Sequence, residues 1–90
     1  MTKITINDVR RAVSYVGETD VLNWSDEKLL KADFLHDLNM GNIRVANVSI
    51  EIQRTYNISL PPELFRQMPD NTVRSFIEAA NFYLSAREQN

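Results

Sequence analysis

Apolar residues recur along this chain mostly at helical spacing. Ile6, Val9, Val13 and Val16 repeat every three or four positions with Arg10, Arg11 and Ser14 between them, which predicts a first helix over about 6–16. Thr5 or Asn7 offers a short side-chain oxygen for an unpaired N–H at its start, and Gly17 can take the left-handed backbone that closes it. Residues 18–41 break the period. Ser25-Asp26-Glu27 reads as a cap and a first turn, because carboxylates favour the positive end of a helix. Leu29, Leu30, Phe34, Leu35 and Leu38 need burial, so one or two short turns are expected to lie across the bundle. Trp24 is expected to be half-buried with its indole N–H on a polar partner.

Asn39-Met40-Gly41-Asn42 is a break, and Asn39 or Asn42 can cap a second helix, over 43–56. That segment carries two apolar stripes. Val45, Val48, Ile52 and Tyr56 fall in a narrow arc at ~100° per residue, and Ile43, Ala46 and Ile50 fall on nearly the opposite side. A surface helix needs only one such stripe, so the second must meet another element or a partner. Pro61 disfavours helix at Leu60, while Pro62 suits the first turn of a short helix over 62–68, anchored by Leu64, Phe65 or Met68 and ended by Pro69. Asp70, Asn71 or Thr72 caps the last helix. Its buried stripe is Val73, Phe76, Ile77, Ala80 and Leu84, with Tyr83 at the edge. The tail is expected to fray from Ser85, leaving 86–90 loose. Strand signals are weak, and the pattern is that of an all-α bundle with three main helices, one short helix and a long first loop.

Composition narrows the function. The 90 residues suffice for one domain over 1–90. Ten basic against twelve acidic residues give a net charge of −2, whereas a fold that grips phosphates carries a basic surplus, so nucleic acid is not the expected partner. The absence of cysteine excludes disulfides, thiolate metal sites and cysteine nucleophiles, and a single histidine excludes a multi-histidine metal site. No apolar run is long enough to span a membrane, and the start lacks a signal-peptide core, so the chain is read as cytoplasmic.

From Ala32 to Leu84 the chain resembles an acyl or peptidyl carrier protein. Asp33-Phe34-Leu35-His36-Asp37-Leu38 looks like the family's Phe, apolar, any residue, Asp-Leu segment before its modification site. Val48, Ile52 and Tyr56 match apolar core positions of the family's second helix, and Asn57-Ile58-Ser59-Leu60-Pro61 looks like its Ile-Pro turn. Thr72-Val73 with Ile77 resembles the start of its last helix. The match is ungapped from Ala32 to Pro61, and about two extra residues then fall around Pro69-Asp70. The resemblance implies the carrier-protein four-helix bundle.

It also implies that position 42 should be the serine that carries 4′-phosphopantetheine, in a signature of Asp-Leu-Gly, one residue, then Asp-Ser-Leu. The chain reads Asp37-Leu38-Asn39-Met40-Gly41-Asn42-Ile43, with Asn42 at the serine position and Gly41 at the aspartate. An amide cannot form the serine phosphodiester, so no arm and no cofactor are expected. The family's second helix is acidic and docks on basic enzyme patches, yet residues 42–56 hold Arg44 and Arg54 against Glu51. Docking on a basic patch should be weakened or reversed.

The resulting expectation is a non-catalytic module that binds a protein, such as a biosynthetic enzyme, through Ile43, Arg44, Ala46, Asn47 and Ile50. Two other roles stay open for Ile43, Ala46 and Ile50, which are packing against Phe34, Leu35 or Met40 and lining a pocket for an apolar chain. The alternative function is a working carrier in fatty-acid or polyketide biosynthesis, with the arm attached elsewhere or Asn42 replacing a natural serine. Ser49 is the displaced serine to consider, seven residues on. His36 beside Asp37 has no nucleophile to serve and reads as a loop residue. Asp20, Asp26, Glu27 and Asp33 lack calcium-loop spacing and read as solvated charges, so no metal is expected.

Overall fold

A computed structural model describes residues 2–17 and 19–88. Among the described residues every regular element is helical: α1 (Ile6–Val16), α2 (Asp26–Lys31), α3 (Asn42–Tyr56), a 3₁₀ helix (Pro62–Gln67) and α4 (Val73–Glu88). The one β-type pairing among them is an isolated antiparallel bridge between Asp33 and Thr72.

Each start has a physical cause. The Thr5 hydroxyl accepts the Asp8 N–H, and the Asp8 carboxylate accepts the Thr5 N–H at 2.8 Å, a reciprocal cap for α1. Ser25 accepts the Lys28 N–H at the head of α2. Thr72 accepts the Ser75 N–H at the head of α4, and Asp70 in turn accepts from the Thr72 and Ser75 hydroxyls. Gly17 closes α1 in extended backbone, φ −87° and ψ 176°, and not in the left-handed region expected of it. A side chain is excluded there for another reason: a Cβ would lie 2.8 Å from the Val13 carbonyl oxygen, which accepts the Gly17 N–H.

One apolar cluster joins all five elements through Val9, Val13, Leu29, Phe34, Val48, Ile52, Leu64 and Phe76. Phe76 is its aromatic centre, with the Phe34 ring edge-on at 6.1 Å and the Phe65 ring stacked at 5.9 Å. Helix α1 packs on α3, and α4 packs on α2 and the 3₁₀ helix. Asn81 ties the N-terminal segment to α4, since its side chain accepts the Ile4 N–H at 2.7 Å and donates to the Ile4 carbonyl at 2.9 Å. Trp24 is half-buried, with the Lys28 ammonium 4.1 Å from its ring centroid.

Three further expectations need correction. Leu35 is not buried but 52% exposed, because Phe34 and Leu38 on either side of it turn into the core. Tyr56 does not enter the core; it is 37% exposed, and its hydroxyl donates to the buried Asp8 carboxylate at 2.8 Å. The last helix does not end near Ser85 but continues to Glu88; residues 89 and 90 lie outside the described residues. No helix among the described residues is long and apolar enough to cross a membrane.

Candidate functional site

The N-terminal half of α3 is positioned by the loop before it. Asp33 organises that loop. Its carboxylate accepts the Leu35 and His36 N–H groups at 2.8 and 2.9 Å, and its carbonyl accepts from Asp37 and Leu38. The His36 N–H, helped by the Leu35 N–H, the nearby His36 ring and the Asn71 side chain, outweighs partial desolvation and holds the Asp33 carboxyl below the usual carboxylate range. Phe34, Leu38 and Met40 turn into the core, which leaves Leu35, His36 and Asp37 exposed at the tip.

Asn39 then takes the left-handed conformation at φ 54°, reversing the chain into α3. Neither asparagine caps the helix with its side chain. Gly41 is the N-cap through its backbone alone, and Asn42 is the first helical residue, exposed to solvent. Its amide has no hydroxyl to esterify, so the residue at this place does not fit a phosphopantetheine arm. Ser49 does not fit either. It is 4% exposed, on the buried side of α3, and its hydroxyl accepts from Gln53.

Both stripes of α3 stand clear in three dimensions. Val45, Val48 and Ile52 are buried, while Ile43 is 81% and Ile50 51% exposed. Ile43 and Ile50 therefore lie outside the buried core. Ala46 is half-buried, Asn47 exposed and Arg44 half-buried. At ~100° per residue, Arg44 falls with Glu51 beyond the edge of the stripe, whereas Arg54 falls beside it, one turn past Ile50. Arg54 is loosely paired with Glu51 at 3.5 Å, its side chain 73% exposed.

Ala46 is also where the stripe meets a cavity. A recess of about 300 Å³ opens between the start of α3 and the 3₁₀ helix, lined by Asn42, Val45, Ala46, Phe65, Arg66 and Asn71. Its floor is apolar, and its polar groups are two amides and one guanidinium. The sequence singled out Asn42, as the place of the attachment serine in the resemblance, and Ala46, as a partner contact. Arg66 was not singled out, because nothing in its spacing says that the 3₁₀ helix brings it to α3. Comparison of the chain with protein-family models, curated proteins and solved structures finds no match.

Proposed function

We propose that this chain is a non-catalytic protein-binding module, built as a carrier-protein-like bundle, that presents α3 and carries no phosphopantetheine arm. The observation that carries this reading is the pair of exposed isoleucines, Ile43 and Ile50, on a helix whose opposite side already supplies its core packing. Exposed branched apolar residues grouped on one helix face are a usual means of seating a helix against a partner. Asn42 supports the second half of the reading, since an exposed amide stands where the resemblance puts the attachment serine.

The test has two arms. Intact mass is measured after incubation with coenzyme A and a broad-specificity phosphopantetheinyl transferase, with a normal carrier protein as positive control. An unchanged mass beside a modified control is the expected result. A gain of one arm would show a working carrier and overturn the module. In the second arm Ile50→Asp is expected to abolish partner capture with an unchanged circular dichroism spectrum; loss of the fold would make the stripe part of the core.

A further inference from the structure

We infer that the α3 face and the adjoining cavity take a short acidic segment of a partner protein, with one large apolar side chain in the cavity and a carboxylate on Arg66. The inference rests on the proposed binding role of α3 and specifies the chemistry of its partner. Three observations carry it.

The first is the shape of the surface. Ala46 belongs both to the exposed stripe and to the cavity wall, so an occupant lying along Ile43 and Ile50 passes the cavity mouth. At about 300 Å³ the recess is at the small end of ligand sites. With Val45, Ala46 and Phe65 as its floor, it suits a single anchor side chain.

The second is charge. Arg66 is exposed at the cavity mouth and has no ion-pair partner among the described residues. Arg54 flanks the stripe one turn past Ile50, held only by a 3.5 Å pair with Glu51. Two guanidinium groups beside an apolar strip favour carboxylates on the occupant, because a planar guanidinium binds a carboxylate through two parallel N–H donors. The exposed amide of Asn42 adds a donor and an acceptor at the same mouth for the backbone of an incoming segment, while the Asn71 side chain already bonds the Asp33 carboxylate.

The third is size. Two isoleucines and an alanine cover only a small part of the ~800 Å² per partner that a stable interface buries. A second copy of this chain would need a far larger apolar face. A short segment anchored at one cavity does not.

The full chain, immobilised, is panned against a random peptide library displayed on phage. Selected peptides are expected to carry Asp or Glu within a few residues of Leu, Ile or Phe. Their affinity should fall about tenfold on Arg66→Glu, the loss of one charge-assisted contact, and at least as far on Ala46→Phe, which fills the cavity. Arg66 is exposed, so its variant keeps the fold even where Ala46→Phe perturbs packing. Enrichment of basic or uncharged peptides, or no enrichment over bare support, overturns the inference. Peptides indifferent to Arg66→Glu and Ala46→Phe yet lost on Ile50→Asp also overturn it, while leaving α3 as the binding face. Peptides indifferent to all three variants overturn both.

Discussion

A single carboxylate, that of Asp8, completes the cap of α1 and receives the Tyr56 hydroxyl from the end of α3, 48 positions away. It is 6% exposed, so its acceptors are spent on protein donors and not on water. Tyr56→Phe removes one of them and is expected to cost about 1–2 kcal/mol in urea unfolding. The hydrogen bond to Asp8, with some desolvation and the repulsion of the nearby carboxylate, raises the Tyr56 phenol above its ordinary value. The folded state thus favours the neutral phenol. That contribution is complete below the ordinary phenol value of ~10 and is lost as pH rises through the folded value. Stability measured from pH 8 upward should fall more steeply in the natural chain than in Tyr56→Phe. The acid limb has the opposite sign. Asp33 and Asp70 are both held below the carboxylate range, Asp33 chiefly by the His36 N–H and Asp70 chiefly by the Ser75 hydroxyl. Their contributions are complete above pH ~4 and disappear as pH falls through the lowered values. Asp33→Asn, which does not titrate, should give a shallower acid limb in chemical denaturation.

At the scale of elements, α3 is held by its buried face against α1 and by its C-terminal end. It begins without a side-chain cap and ends on Asn57 in the left-handed region, at φ 54° and ψ 47°. An alanine there meets the steric cost of that backbone, so Asn57→Ala should lower stability by about 1–2 kcal/mol, whereas Asn57→Gly should be tolerated. Thermal unfolding of the two variants side by side checks this. Gln53 fastens the exit from the helix, since its side chain bonds Ser49 at 3.1 Å and accepts the Leu60 N–H at 3.1 Å. The helix is thereby fixed at its C-terminal end while the exposed stripe points to solvent. The two stripes were visible in the sequence, because period 3.6 separates them without reference to any neighbour. Which stripe is buried does not follow from the period, since both are apolar; the carrier-protein resemblance put Val48, Ile52 and Tyr56 in the core, and of these Val48 and Ile52 are buried while Tyr56 is not.

For the molecule as a whole, the division between core and surface can be tested with two substitutions. Phe76→Ala removes the ring on which Phe34 and Phe65 converge and should cost about 3–5 kcal/mol, a large part of the stability of a domain this size. Ile43→Ser, on the exposed stripe, should stay within about 0.5 kcal/mol. Both are read from the denaturant midpoint at constant slope. The helical class, the limits of α1, the short helix after Pro61 and the apolar stripes are legible along the chain. Each of those follows from local terms, such as side-chain period, capping oxygens and the fixed φ of proline. Packing of the helices settled the rest. It drew Tyr56 out of the core to Asp8, laid Phe34, Leu38 and Met40 inward so that Leu35 faces solvent, and carried Arg66 to the head of α3. Those outcomes join residues far apart along the chain. They are settled by which burial and which hydrogen bonds can be satisfied at once, a condition that exists only after the helices have packed.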